Sequence, residues 1–111
     1  MDDEIKKYLF DILEAIKNID IHLKHKRNFK LFSENITVRR AVERELEIIG
    51  EATSRILKEN PLISITYTRQ IVDLRNRVIH AYDAVDEIIL WKVIVKDLPI
   101  LQKEMEELLN Q

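Results

Sequence analysis

The run Asp73-Leu74-Arg75-Asn76-Arg77-Val78-Ile79-His80-Ala81-Tyr82 holds the side chains of this chain best suited to joint chemistry. His80 is the residue type that changes charge near neutral pH, so it can take up or deliver a proton. Arg75 and Arg77 carry planar guanidinium forks that match the oxygens of a phosphate. Read as a helix at 100° per residue, Arg69, Asp73, Asn76, His80 and Asp83 fall on one arc, with Asn76 one turn before His80 and Asp73 two turns before it. Asn76 could then fix the orientation of the imidazole. Arg75 and Tyr82 share an adjoining face. From spacing alone, a solvated polar face held by i,i+4 pairs is the better reading. The mixture of a histidine, an amide and two arginines is what argues for a site. Tyr82, by itself, reads as an amphipathic ring at a helix end.

The elements that must position these residues are helical. The chain has 111 residues, 46% hydrophobic and 34% charged, with one Gly and two Pro. That supply of apolar residues supports one core in one domain spanning 1–111, and so few turn residues make a hairpin-rich β architecture unattractive. Ile5, Leu9, Ile12, Ile16, Ile19 and Leu23 predict a first helix from about Asp2 to the Lys24–Arg27 region, with acidic residues at its start and basic ones at its end. Asn28–Asn35 reads as a loop. Val38, Val42, Leu46, Ile49 and Ile56 predict a second helix from about Ile36 to Lys58, with Asn35 as its N-cap and Asn60-Pro61 as its stop. Gly50 inside it costs about 1 kcal/mol relative to Ala, which implies that another part of the chain comes close there. Ile71, Leu74, Val78 and Ala81 predict a third helix over about Tyr67–Tyr82. Asp86 is expected to cap a fourth, apolar on nearly every side from Ile88 to Val95, with a kink or break near Pro99. The expected architecture is an all-α, antiparallel up-and-down four-helix bundle, and the apolar fourth helix suggests a homodimer.

Other chemistries find no footing. There is no cysteine, so no disulfide, thiolate nucleophile or Cys-ligated zinc is available. No phosphate-binding glycine loop, H-E-x-x-H or G-x-S-x-G occurs. His22 and His25 are three apart, but Lys24, Lys26 and Arg27 surround them and no carboxylate or thiol nearby completes a metal set, so a basic helix end is the better reading. Arg39, Arg40 and Arg44 are expected to form surface pairs with Glu43, Glu45 and Glu47. No cofactor is expected. The acidic N-terminus lacks a signal-peptide pattern and Ile88–Val95 is too short to span a bilayer, so the expectation is a cytoplasmic protein with no membrane partner. The formal net charge of −2 means that any contact with nucleic acid must be local or focused by assembly.

Arg75, His80 and Tyr82 spell R-x4-H-x-Y. Together with Asn76, the runs Ala41-Val42-Glu43-Arg44-Glu45-Leu46 and Ile49-Gly50-Glu51-Ala52, and Trp91 with Asp97-Leu98-Pro99, this resembles the HepT-like toxin family of the HEPN superfamily over nearly the whole chain. The resemblance implies a HEPN-type helical bundle that forms a homodimer. It implies the toxin half of a type VII toxin–antitoxin system, a metal-independent endoribonuclease with Arg75 and His80 as catalytic residues. It implies a minimal nucleotidyltransferase antitoxin of the MntA kind as partner, which transfers AMP to the motif tyrosine, here Tyr82. Asn76 and Asp73 would support His80. Arg77 gains no role from the family.

RNA carries its own nucleophile, the 2′-OH beside each phosphate. A metal-free enzyme then needs a base, an acid and positive charge on the phosphorane oxygens. One chain has one motif histidine, so a two-fold axis beside the third helix would supply the second. A different reading is a non-catalytic helical subunit that presents a nucleotide or substrate to a separate nucleotidyltransferase. A dimeric scaffold without a site is the plainest. RNA cleavage separates the first from the others.

Overall fold

The computed structural model describes residues 2–79 and 84–111; His80, Ala81, Tyr82 and Asp83 lie outside the described residues. The elements are α1 (Asp3–His22), α2 (Phe29–Glu34), α3 (Ile36–Glu59), α4 (Thr68–Val72), α5 (Leu74–Ile79), α6 (Ala84–Lys92), a π-helical turn (Val93–Asp97) and α7 (Leu98–Leu109). No strand occurs among the described residues, and the expected all-α class is borne out. No helix among them is long and apolar enough to cross a membrane.

α1 and α3 form the backbone of the bundle. The predicted stripe Ile5, Leu9, Ile12, Ile16, Ile19 and Leu23 is buried along its whole length, and so are Val42, Leu46, Ile49 and Ile56 of α3. Tyr8 and Asp11 meet Ile48, Ala52 and Arg55 at one end, while His22 meets Glu45 toward the other, so the two helices run antiparallel. α7 also packs on α1, through Leu101 and Met105, while α2, α4 and α5 pack on α3. These residues belong to one connected apolar core.

The helix ends follow from local hydrogen bonding. Asp2 caps α1 by accepting from the Glu4 N–H at 2.7 Å, and Asn35 caps α3 by accepting from the Val38 N–H at 3.1 Å. α1 stops at His22 rather than running on to Arg27. Lys24 and His25 take left-handed backbone (φ 57° and 60°), and the N–H groups of His25 and Lys24 return to the carbonyls of Asp20 and Ile21. This is a Schellman closure built without glycine. It also takes His25 off the helical face of His22, which instead lies 3.7 Å from Glu45.

Four further expectations need correction. The segment Asn28–Asn35 is not a plain loop. Asn28 accepts from the Leu31 N–H at 3.2 Å and starts α2, whose Phe32 is fully buried. Six residues are too few to reveal a helical period. The third helix is not continuous: it breaks at Asp73 into α4 and α5. α6 begins at Ala84, so Asp86 lies in its first turn and bonds Arg77 rather than capping the helix. Of the surface pairs expected on α3, Arg44 does meet Glu47 at 3.5 Å, but Arg39 reaches across to Glu87 at 2.9 Å, while Ser33 donates to the other oxygen of Glu87 at 2.9 Å. The break foreseen near Pro99 takes a definite form. The Leu98 N–H donates to the Val93 carbonyl five residues back, giving a π-helical turn, and α7 starts with Pro99 in its first turn. Proline has no N–H and its ring crowds the carbonyl four residues earlier, which a widened turn relieves.

Candidate active site

Arg75 and Asn76 sit on the exposed side of α5, whose inward side is Leu74 and the half-buried Val78. What seats α5 is Gly50. A Cβ added there would lie 3.0 Å from the Ile71 carbonyl oxygen, 3.4 Å from the Arg75 backbone nitrogen and 3.4 Å from Leu74 Cβ. The absent side chain therefore lets α3 touch the backbone that carries Arg75. The close approach inferred from a mid-helix glycine is borne out, and it falls at the residue singled out for chemistry.

Arg75 and Asn76 line a pocket of about 270 Å³ whose other residues are Gly50, Glu51, Ser54, Arg55, Lys58 and Val72. Arg75 forms no ion pair among the described residues. Among the described residues there is thus no salt bridge for its guanidinium to break before it meets an anionic ligand. On the other side of Asn76 lies a second depression of about 250 Å³, lined by Asp73, Asn76, Arg77 and Asp86.

The predicted adjacency of Asp73 and Asn76 is real, with the Asn76 Nδ2 donating to Asp73 Oδ1 at 3.2 Å. The other Asp73 oxygen accepts from Arg77 Nε at 3.2 Å, and Arg77 also donates to Asp86 at 3.3 Å. Arg77 thus bridges α5 and α6 with two carboxylates, while Arg75, two positions earlier, does not share them. Sequence spacing could place Arg77 near Asp73, i and i+4 apart. The tie to Asp86 needed the three-dimensional fold. The expectations for His80 and Tyr82 fall outside the described residues. No group of three or more metal-ligating side chains occurs among the described residues.

Comparison with known proteins decides the family. The family described as "Ribonuclease HepT-like" matches residues 12–108. The chain belongs to the HepT-like ribonuclease family. A protein of Methanocaldococcus jannaschii that carries the name "Putative RNase MJ1380" is 36% identical over 105 residues, covering 93% of this chain and 94% of that one. The "Probable ribonuclease HepT" of Thermococcus cleftensis is also 36% identical, over 104 residues and with the same coverage. A third relative, from Caldanaerobacter subterraneus and also named as an RNase, is 33% identical over 101 residues, covering 90% of this chain and 83% of that protein. No solved structure matches at the same significance. The expectation of a HepT-like ribonuclease is borne out at the level of the family. Its match spans the Gly50 seat, the Arg75 pocket and the π-helical turn alike.

Proposed function

We propose that this protein is the toxin of a type VII toxin–antitoxin system and cleaves RNA without a metal ion, using Arg75 and His80. The observation that carries the proposal is the placement of Arg75. It is an exposed arginine without an ion pair among the described residues, on a backbone seated against Gly50, at the edge of a polar pocket. Arg75 holds the scissile phosphate and stabilises the charge that develops on its non-bridging oxygens. His80 takes the proton of the 2′-OH, whose oxygen attacks the adjacent phosphorus. As the P–O5′ bond breaks, an acid returns a proton to the departing O5′, leaving a 2′,3′-cyclic phosphate and a 5′-hydroxyl. Asp73, at the junction of α4 and α5, and Asn76, in the first turn of α5, support the site.

A second copy of the chain supplies the second histidine and a second Arg75. Support for a homodimer comes from α6 and the π-helical turn, where Ile88 and Val95 are 49% and 39% exposed on a stretch that is otherwise strongly apolar. Solvent contact of that kind is relieved by burial against a partner. One Arg75 from each copy in one cleft would also concentrate positive charge on a protein of net charge −2. A minimal nucleotidyltransferase of the MntA kind is the antitoxin, and it transfers AMP to Tyr82. The added phosphate repels RNA phosphate and fills the approach to the cleft.

The test uses end-labelled single-stranded RNA with the unmodified protein. Fragments ending in a 2′,3′-cyclic phosphate support the proposal, and fragments ending in a 3′-hydroxyl contradict its chemistry. A Tyr82→Phe variant should cleave RNA and resist silencing by the partner. Silencing that persists in that variant rules out Tyr82 as the acceptor.

A further inference from the structure

We infer that the pocket between α3 and α5 is a second phosphate subsite, which holds the backbone of single-stranded RNA next to the phosphate that is cut. The inference rests on the ribonuclease reading above. Glu51, Ser54, Arg55 and Lys58 are spaced three, one and three apart, so they share one face of α3, and that face forms the wall opposite Arg75 and Asn76. Arg55 and Lys58 therefore add two cations to a depression of about 270 Å³ that Arg75, the residue assigned to the scissile phosphate, also lines. Glu51 is the one carboxylate in it among the described residues. It accepts from Arg55 Nη2 at 3.3 Å, which restrains that guanidinium on the pocket wall. Lys58 has no ion pair among the described residues. The Ser54 hydroxyl adds a donor.

The lining tells against a base as occupant. Among the described residues its lining has no aromatic side chain to serve as a stacking platform, and its volume is below that of a typical small-molecule site. Cations and a hydroxyl around a small concavity suit a phosphate. Such a contact tracks the strand without reading its sequence. It also meets the requirement set by the net charge, since affinity for RNA must come from a local cluster.

The test is the salt dependence of binding to a single-stranded RNA decamer that is 2′-O-methylated throughout. It lacks the 2′-OH nucleophile and stays intact. For a single strand, each neutralised phosphate contributes about 0.7 to the slope of log K against log salt. A Lys58→Ala/Arg55→Ala double variant should reduce the slope by about 0.7, the share of the one phosphate held there, each single variant should reduce it by up to that amount, and Lys58→Arg should keep it. Glu51→Gln should tighten binding at low salt. Lys30→Ala, on α2, should leave the slope unchanged. A slope unaltered in the double variant, an equal fall in Lys30→Ala, or no binding by the wild type overturns the inference. Wild-type protein that shows the predicted slopes but leaves unmethylated RNA intact would overturn the ribonuclease reading alone.

Discussion

The two halves of α3 serve different ends. Its N-terminal half is pinned. Phe32 of α2 is fully buried and stacks on Trp91 with ring centroids 5.5 Å apart, while Phe29 meets the same indole edge-on at 5.7 Å. Beside them Arg39 joins Glu87 and also donates to the Ser33 carbonyl, so α2, α3 and α6 are held by apolar and ionic contacts together. The C-terminal half faces two short helices, α4 and α5, and an open polar pocket. Both halves bury apolar residues, but the first is closed on its α2–α6 side by aromatic and ionic contacts. The second leaves a polar pocket with Arg55, Lys58 and Arg75 in its lining. Stability and chemistry should therefore separate under mutation.

The sharpest way to break the comparison is at Arg75. Arg75→Ala should reduce RNA cleavage by about 10²–10³, the effect of losing one transition-state donor. Its melting temperature should stay near that of the wild type, because the side chain is exposed and makes no ion pair among the described residues. A large loss of stability would show that the open half is structural after all. Phe32→Ala should do the reverse. Emptying a fully buried aromatic site costs about 3–5 kcal/mol, measurable by urea unfolding, while cleavage per folded molecule at low temperature should persist.

Gly50→Val tests the seam between the two halves. The new side chain would be driven against the Ile71 carbonyl and the Arg75 backbone. Overpacking of this kind costs about 1–3 kcal/mol. Because the displaced atoms carry Arg75, cleavage should fall as well, whereas an equally destabilising change in the pinned half should spare it.

The smallest effect is expected at Glu43. Burial holds its carboxyl above the ordinary carboxylate range, with Glu87 and Glu47 adding to the rise against Arg39 and Arg40. A raised carboxyl in the folded state binds its proton more tightly than in the unfolded chain. Its contribution to stability is therefore fully present at low pH and is lost as pH rises through the raised value. Glu43→Gln should melt slightly higher than the wild type at neutral pH and flatten this dependence. A wild type that gains stability at Glu43 as pH rises through that window would contradict the sign.

Much of this was legible in the residues, for physical reasons that differ by element. α1 and α3 are long, so their apolar positions repeat often enough to define a face, and Asn35 marks a helix start in any context. Gly50 stood out because a glycine inside a helix has a cost that needs a cause. α2 was hidden because a single turn and a half has no period. The split at Asp73 was hidden because Asp73 stays nearly helical (φ −76°, ψ −5°) and both flanks continue the apolar pattern. Arg39–Glu87 and Arg77–Asp86 join residues 48 and 9 positions apart, and local spacing favoured nearer carboxylates. At the site, residue types pointed to Arg75, while the wall formed by Ser54, Arg55 and Lys58 needed the packing of α3 on α5 to become visible.

The central claim is tested most directly by incubating labelled single-stranded RNA with the purified, unmodified protein in EDTA, beside its Arg75→Ala and His80→Ala variants. The account predicts cleavage by the wild type that survives the chelator and is lost in both variants, with all three proteins folded. Cleavage that stops in EDTA, or that continues undiminished in either variant, would contradict it.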